Sequence, residues 1–127
     1  MKKEIAIITG ANSGLGKEFV KLLNQEENLE EIWAIARDKT KLDELVSIFG
    51  NKIKTISMDL SDRKNIEVLK EKLESEDVSI KFLINNAGYG KFCSYKELSP
   101  EASLNMIDLN IGAVVALGLV CIPYMQK

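Results

Sequence analysis

Between Glu4 and Ala36 the hydrophobic pattern changes period twice, and a cluster of glycines marks the first change. Glu4 to Thr9 (E-I-A-I-I-T) is a β-branched run that reads as a buried strand. It leads directly into Thr9-Gly10-Ala11-Asn12-Ser13-Gly14-Leu15-Gly16, after which a helical period takes over. Leu15, Phe19, Leu22 and Leu23 form the expected inner stripe of that helix, with Lys17, Glu18 and Lys21 off it. Glu31 to Ala36 (E-I-W-A-I-A) returns to strand. Strand, glycine turn, helix and strand at this spacing form a βαβ unit, whose crossover is right-handed and whose strands are parallel.

The alternation continues. Thr40 is expected to cap a helix carrying Leu42, Leu45, Ile48 and Phe49, which stops at Gly50. Ile53 to Met58 reads as a third strand, and Ser61 as the cap of a helix with Ile66, Leu69 and Leu73 on its face. Ile80 to Ile84 is a fourth strand running into Asn85-Asn86-Ala87-Gly88. Ser99 and Pro100 supply an N-cap and a first-turn proline, and a largely apolar helix is expected from Ile111 to Met125. No repeat, low-complexity tract or linker divides the 127 residues. The fold class expected is α/β: a Rossmann-like doubly wound parallel sheet of order 3-2-1-4, in a single domain over residues 1–127.

Composition narrows the function classes. Net charge is −2 and the basic residues are dispersed, so no stripe is present to neutralise a phosphate backbone, and nucleic acid is not an expected partner. There is no histidine, which removes Ser-His-Asp and Cys-His catalysis and any His-ligated metal. Cys93 and Cys121 match no metal or redox spacing and read as a loop thiol and a core thiol in a reducing compartment. The apolar run Ile111 to Ile122 is shorter than the roughly 20 residues that span a bilayer. A soluble, cytoplasmic protein without a membrane partner is expected.

The glycine turn carries the sharpest chemistry. Gly10 permits a tight turn, Gly14 lets backbone approach a pyrophosphate, and Gly16 allows close helix packing, while the helix N-terminus offers free N–H groups. A P-loop does not fit. Gly10 stands one residue too far from Gly16-Lys17, and Glu18 occupies the position where Ser or Thr would hold Mg²⁺.

The string T-G-A-N-S-G-L-G resembles the nucleotide-binding motif of the short-chain dehydrogenases/reductases, and Asn85-Asn86-Ala87-Gly88 resembles that family's second motif. Asp59 and Leu60, in Met58-Asp59-Leu60, are similar to the family's adenine-contacting segment, and Asn110 is similar to its active-site helix asparagine. The resemblance covers nearly the whole chain. It implies cofactor binding by Gly10, Asn12, Ser13, Gly14, Leu15, Gly16, Asp59, Leu60, Asn86, Ala87 and Gly88. For Asn110, read as a buried amide, it implies a catalytic role, holding a water that relays protons to a lysine.

Cofactor choice turns on the end of the second strand. An acidic residue there grips a ribose 2′-OH, whereas an arginine accommodates a 2′-phosphate. The strand ends Ile35-Ala36-Arg37-Asp38, so Arg37 is expected to bind the phosphate, with Lys39 or Lys41 adding charge. Asp38 could face a 2′-OH instead. NADP is favoured over NAD.

The family also implies a serine on a fifth strand and a Tyr-x-x-x-Lys pair. No tyrosine here has lysine four residues on: Tyr89 is followed at that offset by Cys93 and Tyr95 by Ser99, and Tyr124 lies three before Lys127. The chain is therefore expected to be the cofactor-binding N-terminal part of an NADP-dependent oxidoreductase acting on a carbonyl or alcohol, truncated before the fifth strand and inactive alone. The alternatives are a non-catalytic dinucleotide sensor and an interaction module. The fourth strand's free edge, and Val114, Val115, Leu117 and Leu119 left partly wet, lead to an expected homo-oligomer. The loop Tyr89-Gly90-Lys91-Phe92-Cys93 is expected to form one wall of a substrate pocket.

Overall fold

A computed structural model of the chain describes residues 2–89 and 94–125. The elements are β1 (Lys3–Thr9), α1 (Gly14–Leu23), β2 (Glu31–Ala36), α2 (Lys39–Phe49), β3 (Ile53–Ser57), α3 (Arg63–Ser75), β4 (Val78–Ile84), α4 (Pro100–Ile107), a π turn (Asp108–Gly112) and α5 (Ala113–Met125). The four strands are parallel in the order β3-β2-β1-β4, as the alternating pattern predicts.

Strand pleating sends successive side chains to opposite faces, and each face has its own core. Ile5, Ile7, Trp33 and Ile35 pack under Ile66, Leu69 and Leu73 of α3 and Ala113, Leu117 and Cys121 of α5. Ala6, Ile8, Ile32 and Ala34 meet Val20 and Leu23 of α1 and Leu42 and Leu45 of α2. Between Ile5 and Ala6 the pairing with β4 slips by one residue, from Ile80 to Phe82. That bulge leaves Lys81 exposed beside Glu4 and switches the faces of β4. Val78 and Ile80 join the α3/α5 side, whereas Phe82 and Ile84 pack against the other core.

Several local expectations are corrected. The inner stripe of α1 is Gly16, Val20 and Leu23, with Leu15 and Leu22 both exposed. Gly16 faces the turn carbonyl of Gly10, and that close approach sets the rotation of the whole helix. Helix α2 is capped by Asp38, not Thr40, and α3 by Asp62, not Ser61, whose hydroxyl is taken by Asp59. Ile48 points outward. Leu117 is fully buried, because Ala113, Leu117 and Cys121 form the i, i+4, i+8 line facing the sheet; Val114, Val115 and Leu119 are exposed as expected.

The last helix is also longer than the apolar run within it. From Pro100 to Met125 it is continuous over 26 residues, long and apolar enough by length and composition to cross a membrane, a test that core helices also pass. Cys121 is the core thiol expected, and Cys93 lies outside the described residues.

Candidate functional site

The C-terminal ends of the parallel strands converge on one cleft of about 330 Å³. Crevices of this kind, beyond the strand carboxyl ends, are where open α/β sheets bind ligands. Four strand-end segments from distant parts of the chain line it. The turn after β1 contributes Gly10, Asn12 and Ser13; the ends of β2 and β3 contribute Arg37, Asp38, Asp59 and Leu60; and the segment after β4 contributes Asn86, Ala87, Gly88 and Tyr89.

The turn is held by bonds that explain its residue types. Gly10 has φ +61, and a side chain there would press on the Ala87 backbone at 3.0 Å. A Cβ at Gly16 would collide with the Gly10 carbonyl and lie 2.7 Å from Asn86 Nδ2. Asn86 Nδ2 donates to the Gly10 carbonyl at 3.1 Å and to Ser13 Oγ at 3.3 Å. Thr9, 1% exposed, accepts from the amides of Asn86 and Ala87 and donates to the Ile84 carbonyl. Sequence reasoning passed over Thr9 as part of a strand. A polar side chain ending a fully apolar run was the signal.

Gly14 is different. Among the described residues nothing lies within 4 Å of a Cβ placed there, so no contact with them requires a glycine. Beside it, Ser13 is the N-cap of α1, yet its hydroxyl turns back to the Gly10 carbonyl at 2.8 Å and makes no cap bond. Helices α2, α3 and α4 each have a side-chain cap, from Asp38, Asp62 and Ser99. The first turn of α1 thus offers amide groups without a side-chain acceptor among the described residues and carries no acidic residue. Leu15 projects into solvent, and neither it nor Gly14, Gly16 or Asn110 is among the residues lining the cleft.

At the β2/β3 end the charges are arranged in opposition. Asp38 Oδ1 accepts from the Lys41 amide at 3.2 Å, which engages this carboxylate as a cap. Arg37 is exposed and, among the described residues, forms no ion pair. Asp59 Oδ1 accepts from both the Ser61 hydroxyl at 2.6 Å and the Ser61 amide at 2.9 Å. The hydroxyl bond above all, then the amide and the nearby Arg37 charge, hold the Asp59 carboxyl below its usual range against its partial burial.

Asn110 sits within the π turn, and it is exposed rather than buried. Its side chain is engaged at both ends: Oδ1 accepts from the Tyr89 amide at 2.9 Å and Nδ2 donates to the Tyr89 carbonyl at 2.7 Å. It also excludes a side chain at Gly88, where a Cβ would lie 2.7 Å from Oδ1. Leu109 is the neighbour that reaches the cleft, along with Lys41 and Met58. The π winding was not legible in the sequence: the poor helix formers Asp108, Asn110 and Gly112 mark a weak helical stretch but do not distinguish a π turn from an α turn. Of the loop expected to form a pocket wall, Tyr89 lines the cleft, and residues 90–93 lie outside the described ones.

A family profile described as short chain dehydrogenase matches residues 4–127. The chain is 26% identical over 127 residues to an uncharacterized oxidoreductase of Staphylococcus epidermidis, covering all of this chain and 54% of that protein. Among solved structures, a bulky-bulky ketone specific alcohol dehydrogenase from Comamonas testosteroni superposes with a TM-score of 0.81 at 30% identity, over 92% of this chain and 47% of that one. An L-sorbose reductase from Gluconobacter frateurii, complexed with NADPH and L-sorbose, gives a TM-score of 0.81 at 25% identity, over 98% and 48%. The chain thus spans about half the length of these relatives.

Proposed function

The chain belongs to the short-chain dehydrogenase family, and on that premise we propose that residues 1–127 form one domain that holds the NADP of a cytoplasmic oxidoreductase acting on a small carbonyl or alcohol. The observation that carries the reading is the first turn of α1. Among the described residues its amides lack a side-chain acceptor, no acidic residue stands in the helix's first turn, and Gly14 leaves open space where the protein needs none. A pyrophosphate fits that cradle by charge and by shape.

Around it the chain's residues divide the work. Gly10, Asn12, Ser13, Gly14, Leu15 and Gly16 form the pyrophosphate turn. Asp59 and Leu60 receive the adenine, with Asp59 kept ionised as an acceptor by Ser61. Arg37 takes the 2′-phosphate, and the engagement of Asp38 as a helix cap favours that choice over a 2′-OH contact. Asn86, Ala87 and Gly88 border the second ribose, and Asn110 braces them through Tyr89. When bound, the nicotinamide would give hydride to the carbonyl or take it from the alcohol. Asn110 Oδ1 and Nδ2 each make one bond to Tyr89, which leaves a second lone pair and a second N–H on the exposed amide to hold the relay water.

Without a Tyr-x-x-x-Lys pair the 127-residue chain binds cofactor but does not turn over substrate. Titration by fluorescence tests the reading. NADPH should bind more tightly than NADH, and Arg37→Ala should remove most of a difference of about 1.5–3 kcal/mol, the worth of a charge-assisted bond. Equal affinities in the unmodified chain would end the NADP assignment, and no binding of either would end the dinucleotide reading.

Self-association is part of the proposal. Leu104, Ile107, Ile111, Val115 and Leu119 are exposed apolar residues along the last helix, which favours association. The exposed Lys81 at the bulge in β4 works against the strand edge as the contact. Light scattering should show a dimer or larger species that survives Leu83→Pro; a monomer would remove this part of the proposal.

A further inference from the structure

Two asparagines of the long helix grip a single residue of the segment after β4. Asn110 holds the Tyr89 backbone at its amide and its carbonyl. Asn105 Nδ2 donates to the Tyr89 hydroxyl at 2.7 Å. In a regular α-helix, positions five apart lie about 140° apart around the axis and would not both reach one residue. Here Asn110 falls inside the π turn, whose wider i→i+5 winding advances less per residue and brings the second amide round toward the first. A device that fixes both the backbone and the side-chain tip of one aromatic residue gives that side chain a defined place.

That place is at one end of the cleft. Sheet order puts β2 and β3 on one side of β1 and β4 on the other. Arg37 and Asp59 line the first side, Tyr89 and Gly88 the second, and the turn after β1 lies between them. A dinucleotide with its pyrophosphate on that turn and its adenosine toward Arg37 must extend its other half toward Tyr89. The Tyr89 oxygen accepts from Asn105, so its own proton remains available to donate, and the residue is 39% exposed and lines the cleft.

We propose that Tyr89 is a contact residue for the nicotinamide-ribose half of the cofactor, its ring forming a wall and its O–H donating to that half. Asn105 is its positioning residue. This rests on the dinucleotide reading above, and the experiment separates the two. The 127-residue chain and its variants are titrated with NADPH and with adenosine 2′,5′-bisphosphate, which lacks the nicotinamide-ribose half. Tyr89→Phe removes one neutral hydrogen bond and should weaken NADPH about three- to tenfold, while the bisphosphate changes by less than about twofold. Tyr89→Ala should weaken NADPH further, and Asn105→Ala should weaken it in the same selective way by freeing the ring. Circular dichroism confirms the fold, and if Tyr89→Ala fails to fold the other two variants still decide. Equal losses for both ligands, or no loss for either, would overturn the assignment of Tyr89. Failure of the unmodified chain to bind the bisphosphate would overturn the dinucleotide reading as well.

Discussion

Thr9 Oγ1 accepts a hydrogen bond from the Ala87 amide at 2.8 Å, joining the ends of β1 and β4 across 78 residues of sequence. The same oxygen accepts from the Asn86 amide at 3.0 Å, and the hydroxyl is almost completely buried. Two loops that must keep their spacing around one ligand are thereby tied at a single atom.

Thr9→Val keeps the shape of the side chain and removes that acceptor. The Ala87 amide then loses its partner, while the Asn86 amide keeps the Ile84 carbonyl at 3.1 Å, and the change should cost about 1–3 kcal/mol of stability by chemical denaturation. Thr9→Ser should retain most of it. A Thr9→Val variant as stable as the unmodified chain would mean that water or another group accepts from the Ala87 amide.

The glycines at 14 and 16 should separate binding from folding. Gly16→Ala drives a methyl group into the Gly10 carbonyl and should destabilise the fold by about 1–3 kcal/mol, as overpacking does. Gly14→Val meets no protein atom at its Cβ and should leave the circular dichroism spectrum and melting temperature nearly unchanged while abolishing NADPH binding in calorimetry. Retained binding in Gly14→Val would show that the turn is purely structural.

At the opposite end of the sheet, Glu76 bridges Lys72 and Lys3, and Lys3 also reaches Glu31. The Lys72 bond, and then Lys3, hold the Glu76 carboxyl below its usual range. A carboxyl lowered on folding contributes stability above its unfolded pKa and loses it as pH falls through the folded value. Lys3 is raised above 10.5 by Glu31 first and then Glu76, so its contribution is intact at neutral pH and fades only as pH rises through the raised value. The melting temperature should therefore fall as pH drops below about 4, with Asp59 adding to the same limb. Glu76→Gln should melt lower at pH 7 and show a shallower acid limb. Parallel curves for the two proteins would exclude this network as a source of acid sensitivity.

Cys121 lies fully buried between α5 and the sheet, and burial pushes its thiol up to about 12. In a Cys93→Ser background the native chain should not react with a thiol reagent at pH 7, and should titrate one thiol in denaturant. Rapid labelling without denaturant would mean that α5 opens from the sheet.

The sequence alone was sufficient for the architecture because local period and turn chemistry carry that information. The apolar runs at Glu4 to Thr9 and Glu31 to Ala36, separated by a helical period, fit a βαβ crossover with a parallel pair, and the glycine string marks where the chain must turn tightly. The gathering of Gly10, Arg37, Asp59 and Asn86 at one cleft follows from that topology, which brings strand ends to one side of the sheet. What the tertiary structure decided are the features set by contacts between distant segments. The rotation of α1 follows from Gly16 meeting the Gly10 carbonyl, not from which leucines share its stripe. The face switch of β4 comes from a one-residue slip against β1, which no alternation within Val78–Ile84 reveals. The roles of Thr9, Asn105 and Tyr89 depend on partners 78 and 16 residues away, and the composition of the π turn between Asn105 and Asn110 does not distinguish it from a weak α-helical turn. A chain's own pattern reports which way each residue faces along its element, but hydrogen bonds between elements exist only once packing has fixed their separation to within a few tenths of an ångström.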